Sequence, residues 1–320
     1  MNLVERIDAV KKQGIEPHLA VIIVGDDPAS HVYVNSKIKT CERLGIRSTH
    51  IALAADVTEA VLREHIHTLN DRTDVHGILV QSPLPGHMDE TALTDLIHPN
   101  KDVDGFHPEN LGRLVQGRTN GMLPCTPSGV MRMLRWAGIE LEGMKAAVLG
   151  RSRIVGMPAA LLLAAKGADA TVTVVHSRTE NAAEVCREAD IVVAAVGRPE
   201  MVKATWVKPG AVVVDVGINS KDDATKKTGY RLVGDCDYES CAAVASMITP
   251  VPGGVGPMTI AMLMRNTVNG TIYAGIRART TAAPQQHWFG PSGDPRSGGI
   301  HTPEAIKLCW SSHREVIYDY

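Results

Sequence analysis

The first residues with chemical potential are Tyr33 and Lys37, in the segment Ser30-His31-Val32-Tyr33-Val34-Asn35-Ser36-Lys37. A spacing of four puts a phenol and an amine on one helix face. In a cleft, a desolvated lysine holds its proton less tightly and can shuttle it, while the tyrosine offers an aromatic surface and a hydroxyl. On spacing alone a solvated surface pair is the commoner explanation, because lysine is frequent on exposed helix faces. A second segment, Val80-Gln81-Ser82-Pro83-Leu84-Pro85, follows a short hydrophobic strand. That is the carboxyl end, where open α/β sheets place their ligands, and Gln81 is set to hydrogen-bond there. In Lys101-Asp102-Val103-Asp104-Gly105-Phe106 the closely spaced carboxylates either hold a polar substrate edge or stabilise an Asx-type turn. For Asp104 the two explanations stand even, since Asp-Gly is itself a turn signal.

A fourth segment, Val148-Leu149-Gly150-Arg151-Ser152-Arg153-Ile154-Val155-Gly156-Met157-Pro158, reads as a strand running into a glycine turn and then a helix. Gly150 permits the tight turn, Gly156 permits close helix packing, and the free amides at the helix start suit a phosphate. The spacing is not GxGxxG, so the pattern is weak by itself. Its context adds weight: the next strand ends in His176-Ser177-Arg178-Thr179, where NAD-preferring folds carry an acidic residue. Arginine and serine there suit a 2′-phosphate, so NADP is expected over NAD, with Arg151, Ser152, Ser177 and Arg178 as contacts. The competing explanation is a set of exposed loop residues in a cofactor-free Rossmann-like domain. The last segment, Thr249-Pro250-Val251-Pro252-Gly253-Gly254-Val255-Gly256-Pro257-Met258-Thr259, is fixed by its prolines and opened by its glycines, so a planar ligand can approach its backbone closely.

These segments need a scaffold, and the remaining sequence describes one. At 320 residues and 44% hydrophobic composition the chain is long enough for two domains. Short β-branched runs alternate with helical stretches, the pattern of parallel sheets faced by helices, which makes the class α/β. Strands are expected at residues 19–24, 46–53 and 77–80, with helices near 30–44 and 58–69; a second series follows at 146–149, 171–175, 191–195 and 212–216. Pro124-Cys125-Thr126-Pro127 separates the series and should open a helix with Thr126 or Ser128 as its cap. The expected division is residues 1–125, residues 126–268 with a Rossmann-like domain, and a poorly ordered tail at 269–320, with a short helix at 303–316. A charge balance of 33 Lys plus Arg against 35 Asp plus Glu gives −2, no footprint for nucleic acid or a membrane surface. No apolar run is long enough to cross a bilayer, and residues 1–12 read as an amphipathic helix rather than a leader. Six scattered cysteines show no CxxC spacing, which argues against zinc and for reduced thiols in the cytoplasm. No metal site is expected.

Taken together the segments resemble the bifunctional methylenetetrahydrofolate dehydrogenase/methenyltetrahydrofolate cyclohydrolase family. The resemblance runs from about residue 19 to 268. It rests on Tyr33-x-x-x-Lys37 with Cys41 and Gly45 beyond it, Val80-Gln81-x-Pro83-Leu84-Pro85, Lys101-Asp102-Val103-Asp104-Gly105 and Pro124-Cys125-Thr126-Pro127. Gly150-Arg151-Ser152-x-Ile154-Val155-Gly156-x-Pro158 and the run from Pro252 to Thr259 complete it. Six motifs in the family's order are highly specific. The resemblance implies two domains around a cleft, folate on the first and NADP on the Rossmann-like second. It implies oxidation of 5,10-methylenetetrahydrofolate with NADP, then hydrolysis of the methenyl product to 10-formyltetrahydrofolate, in one-carbon metabolism and purine biosynthesis. By similarity Lys37 is catalytic, Tyr33 packs on the folate, Gln81 holds Lys37, and Asp104 anchors the pterin. Val80, Ser82, Pro252, Gly253, Gly254, Val255, Gly256, Pro257, Met258, Thr259 and Ile260 line the folate pocket, and Ile218 joins Gly150 and the polar contacts at the cofactor. The family also implies a homodimer.

The resemblance breaks at both ends. The opening strand and Asp-Gly-Lys-type segment are absent before the first helix, and the final helix has no clear counterpart after Asn266-Thr267-Val268, where Asn269-Gly270 intervenes. Ser82 stands where leucine is frequent, and Cys236 interrupts Gly234-Asp235-Cys236-Asp237. Two alternatives follow: another Rossmann oxidoreductase of the shikimate-dehydrogenase kind, or a folate- or nucleotide-binding relative that has lost catalysis. A ligase is disfavoured by the lack of a P-loop pattern.

Overall fold

The first parallel sheet is built around a strand apolar on both faces. In the computed structural model, which describes residues 2–118, 120–226 and 229–278, every residue of that strand is buried. In chain order the elements are α1 (Leu3–Lys11), β1 (His18–Val24), α2 (Pro28–Leu44), β2 (Arg47–Leu53), α3 (Glu59–Asp71), β3 (Gly77–Val80), α4 (Glu90–Thr94) and α5 (Pro108–Val115). They continue with α6 (Cys125–Trp136), β4 (Lys145–Leu149), α7 (Gly156–Ala164), β5 (Thr171–Val175), α8 (Ala182–Arg187), β6 (Ile191–Ala194), β7 (Val212–Asp215), β8 (Asn219–Asp222), β9 (Tyr230–Val233), α9 (Tyr238–Ala242), β10 (Met247–Ile248) and α10 (Val255–Ala278).

The chain forms two compact units, one from the amino terminus to Cys125 together with the stretch from Ile260, the other Thr126–Thr259. In the first, the described strands run β2-β1-β3, all parallel, with β1 central. That position explains the unbroken run His18-Leu-Ala-Val-Ile-Ile-Val24, whereas the edge strand β2 has only exposed and half-buried residues. Helix α2 starts where Asp27 accepts from the Ser30 amide at 2.8 Å and Pro28 occupies the first turn, and it stops at left-handed Gly45. The amine of Lys101 bonds the carbonyls of Leu69, Asn70 and Arg72 at 3.0, 2.7 and 2.6 Å, closing the end of α3.

The second unit holds a five-stranded parallel sheet in the order β10-β7-β6-β4-β5, and a separate antiparallel hairpin β8-β9. Strands β6 and β7 are buried throughout, while the edge strand β5 is buried only at Val175. Strand β8 carries no apolar residue and β10 is only two residues long, so neither reads as a strand from its pattern.

Two expectations are corrected. Helix α6 begins at Cys125, so neither Thr126 nor Ser128 caps it. Helix α10 does not end at Val268 but continues to Ala278. The Asn269-Gly270 pair, a turn signal by composition, is instead a packing device. Asn269 accepts from Arg6 of α1 at 2.6 Å, and a Cβ on Gly270 would fall 2.0 Å from the His76 carbonyl oxygen. Tertiary contact overrides local preference here. The expected disorder from 279 onward and the helix at 303–316 lie outside the described residues. Among those described, no helix is long and apolar enough to cross a membrane.

Candidate active site

In the first unit α2 and the end of β3 bring two of the expected side chains into contact. The Lys37 Nζ donates to Gln81 Oε1 at 2.8 Å. The Gln81 backbone is fixed by its amide to the Ile22 carbonyl at 2.8 Å, and its side-chain Nε2 donates to the Ser82 carbonyl at 2.6 Å. The glutamine oxygen therefore faces the amine and nothing else in this network competes for its orientation. Burial lowers the proton affinity of Lys37, opposed by the charges of Asp104 and Cys125. Tyr33, one turn before Lys37, is 36% exposed, and partial burial pushes its phenol up.

The two neighbouring aspartates have different roles. Asp102 is buried and its carboxylate accepts from Gly105 N at 3.0 Å, His107 N at 2.8 Å and Asn110 Nδ2 at 2.9 Å. This is the turn role. Asp104 has no hydrogen bond to its carboxylate among the described residues, and burial pushes it up to about 6 against the pull of Lys37. Its main chain is held closely: Gly105 has φ 76°, and a Cβ there would lie 2.4 Å from the Leu123 carbonyl carbon. Val80 is buried at the end of β3. Ser82 is exposed and donates to Glu90 Oε2 at 3.1 Å, which also accepts from Leu84 N at 3.2 Å.

In the second unit the glycine turn after β4 has the form expected from its sequence. Gly150 has φ 110° and a Cβ there would meet the Ala195 carbonyl oxygen at 2.1 Å; one on Gly156 would meet the Gly150 oxygen at 2.2 Å. The amides of Arg151 and Ser152 have no acceptor among the described residues. The Ser152 hydroxyl is already engaged, accepting from Val155 N at 3.1 Å and Gly156 N at 3.4 Å, so its oxygen caps α7. Arg151, Ser177 and Arg178 are exposed, as is Ile218 at 44%. The residues present fit a dinucleotide: a cradle that a Cβ would fill, free amides, and two exposed guanidinium groups.

The run Pro252 to Thr259 is seated on α6 within this unit. Thr259 Oγ1 lies 3.0 Å from Thr126 Oγ1, and a Cβ on Gly129 would come 3.0 Å from that of Met258. A Cβ on Gly254 would fall 2.5 Å from the Pro250 carbonyl oxygen, so Gly253 and Gly254 allow a close fold-back; Val255 and Met258 are buried, Gly256 and Pro257 half-buried. Ile260 follows in the first unit.

Sequence reasoning missed a buried acidic pair that shapes the loops at the carboxyl ends of β6 and β7. Asp235 accepts from Val196 N at 2.6 Å, Gly197 N at 3.0 Å, Arg198 N at 2.8 Å and Asn219 Nδ2 at 2.9 Å. Asp215 accepts from Gly217 N at 3.0 Å, Asp235 N at 2.9 Å and Cys236 N at 2.8 Å, and burial pushes it up to about 6. The Gly-Asp dipeptide at 234–235 was the available signal. A cavity of about 440 Å³ beside this pair is lined by Glu200, Arg231, Tyr238 and Pro250 among others, and by none of the expected cofactor residues. Among the described residues no group of three or more His, Cys, Asp or Glu is placed to hold a metal ion.

Comparison with known proteins bears on both units. Residues 1–104 match the model of the tetrahydrofolate dehydrogenase/cyclohydrolase catalytic domain, and residues 124–274 match that family's NAD(P)-binding domain. A bifunctional FolD protein of Acetivibrio thermocellus is 56% identical over 262 residues, 82% of this chain and 89% of the relative. Bifunctional protein FolD 2 of Arabidopsis thaliana is 53% identical over 261 residues, 81% of this chain and 87% of the relative. A Trypanosoma brucei methylenetetrahydrofolate dehydrogenase-cyclohydrolase, solved with NADP and an inhibitor, superposes with a TM-score of 0.81 at 42% identity, covering 87% of this chain and 94% of that one.

Proposed function

The chain belongs to the tetrahydrofolate dehydrogenase/cyclohydrolase family, and we propose that it oxidises 5,10-methylenetetrahydrofolate with NADP and hydrolyses the methenyl product to 10-formyltetrahydrofolate. Membership removes the shikimate-type alternative. The observation that carries the reading is the Lys37 amine held 2.8 Å from Gln81 Oε1, in electrostatic reach of an Asp104 carboxylate with no hydrogen bond of its own. NADP, when bound, supplies the hydride acceptor; Gly150, Arg151, Ser152, Ser177, Arg178 and Ile218 are the residues proposed to hold it, with the guanidinium of Arg178 on the 2′-phosphate.

In the hydrolytic step water attacks the bridging carbon and the bond from that carbon to the N5 nitrogen breaks. A base must take a proton from the water, an acid must supply one to the departing nitrogen, and the second water proton leaves to solvent as the formyl C=O forms, so one proton is released overall. Lys37 Nζ is suited to both, because burial keeps its amine form accessible and Gln81 fixes where its proton points. Tyr33 supports the pterin by stacking, and Asp104 takes hydrogen bonds from the polar edge of the pterin. Val80, Ser82 and the run from Pro252 through Gly253, Gly254, Val255, Gly256, Pro257, Met258 and Thr259 to Ile260 complete the folate contacts in this proposal.

Two further proposals accompany it. Tyr230 and Leu232, alternate residues of β9, are 44% and 39% exposed and share a face, which supports a homodimer formed through the second unit. Sedimentation at micromolar concentration should give a dimer; monomer alone contradicts it. The five described cysteines are free thiols, which fits a reducing compartment such as the cytoplasm.

The reading is tested by absorbance of purified protein with 5,10-methylenetetrahydrofolate and either NADP or NAD, following reduced cofactor and methenyl product separately. Turnover with NADP, with disappearance of added methenyl compound, is expected. A folded sample that binds both ligands without turnover would make it a silent relative instead.

A further inference from the structure

A carboxylate that makes no hydrogen bond of its own is aimed by its backbone alone. For Asp104 that backbone is held from helix α10. Asn266 is 4% exposed, and its Nδ2 donates to the Val103 carbonyl and to the Leu123 carbonyl, each at 2.8 Å. An amide nitrogen has two hydrogens, so this pair uses both. Val103 immediately precedes Asp104. Leu123 is the residue against which Gly105 is packed, and the Asp104 carbonyl accepts from the Cys125 amide at 3.3 Å. One side chain therefore joins the two chain segments between which Asp104 is carried. Without it, the Val103 carbonyl keeps only the weak Cys125 thiol donor at 3.1 Å, and the Leu123 carbonyl has no other donor among the described residues.

We propose that Asn266 is a positioning residue for the folate reaction: by clamping the Val103 and Leu123 carbonyls it sets where the Asp104 carboxylate meets the pterin. The proposal rests on the reading of Asp104 as the pterin anchor. Asn266 touches no reacting atom. Its contribution is geometric, and displacement of a binding group by about 1 Å is enough to lower a rate or affinity by up to about 10²-fold.

The test uses the intact protein and equilibrium titration with tetrahydrofolate and, separately, NADP. Asn266→Asp keeps the shape and removes both donors; Asn266→Ser keeps one, and carries the test if the aspartate variant does not fold. Asn266→Ser should weaken tetrahydrofolate binding about tenfold and leave NADP binding within about twofold. In an Asp104→Asn background, which by itself weakens tetrahydrofolate, Asn266→Ser should add no further loss. Folded Asn266 variants with unaltered tetrahydrofolate affinity, or losses that multiply in the double variant, would overturn the proposal and leave Asn266 a purely structural clamp. Unaltered tetrahydrofolate affinity in Asp104→Asn alone would instead overturn the anchor reading, and the positioning role with it.

Discussion

Asp104 in the first unit is half-buried and Asp235 in the second fully buried, and their surroundings are opposite. Asp235 is completely buried and accepts four hydrogen bonds, three from consecutive backbone amides. The Asp104 carboxylate accepts none among the described residues and is left with the attraction of Lys37. A saturated buried carboxylate organises the chain around it and has no capacity left for a ligand. An unsaturated one costs stability and keeps its lone pairs for a substrate. The first unit thus holds poised charge where chemistry is proposed, and the second uses buried charge to shape loops while its candidate cofactor residues, Arg151, Ser177 and Arg178, stand in solvent.

The largest expected consequence is at Asp235. Asp235→Ala leaves the amides of residues 196–198 without acceptors and should cost about 3 kcal/mol or more in urea unfolding. Asp104→Asn, by contrast, should stabilise the folded protein at pH 7 while weakening folate binding, since it removes the charge of a half-buried carboxyl that is pushed up to about 6 and that nothing hydrogen-bonds. Equal destabilisation by both substitutions would erase the contrast.

Acid sharpens the comparison further. His76 is 7% exposed and is pushed down to about 4, first by burial and then by His18 and Lys101. An unfolded histidine titrates near 6.5, so between about 6.5 and 4 the unfolded chain takes up a proton that the folded one refuses, and stability falls as pH drops. Asp104 and Asp215, pushed up to about 6, act in the opposite sense: the folded state takes their protons first, so their contribution rises as pH falls. Replacing His76 by Gln should therefore shift the stability difference between pH 7 and pH 5 by about 2 kcal/mol in favour of pH 5. An unchanged difference would show that His76 is not buried neutral.

A smaller effect is expected at the exposed end. Arg178→Asp should weaken NADP about tenfold more than NAD in a binding titration, through repulsion of the 2′-phosphate. Equal losses would remove Arg178 from the 2′-phosphate site.

Much of this contrast was legible in the sequence. The apolar runs of β1, β4, β6 and β7 are central parallel strands buried on both faces, so they read directly as strands. The Tyr33 to Lys37 spacing put both residues on α2, and the residue after β3 proved to be the partner of Lys37. Local pattern failed where long-range contacts decide. Nothing near Asn266 or Asp235 reports partners at residues 103 and 123 or at 196–198, and Asn269-Gly270 carries a turn signal that packing against Arg6 and His76 overrides. The two aspartates of Lys101-Asp102-Val103-Asp104 could not be told apart by type, because only the folded chain shows which one the backbone amides reach.

The most direct test of the central claim is hydrolysis of 5,10-methenyltetrahydrofolate by Lys37→Ala in the absence of NADP, paired with an NADP titration of the same sample. The account predicts hydrolysis no faster than in buffer and NADP affinity like that of the unaltered protein. Hydrolysis at an undiminished rate would contradict it, and would move the proton-transfer chemistry away from the Lys37 and Gln81 pair.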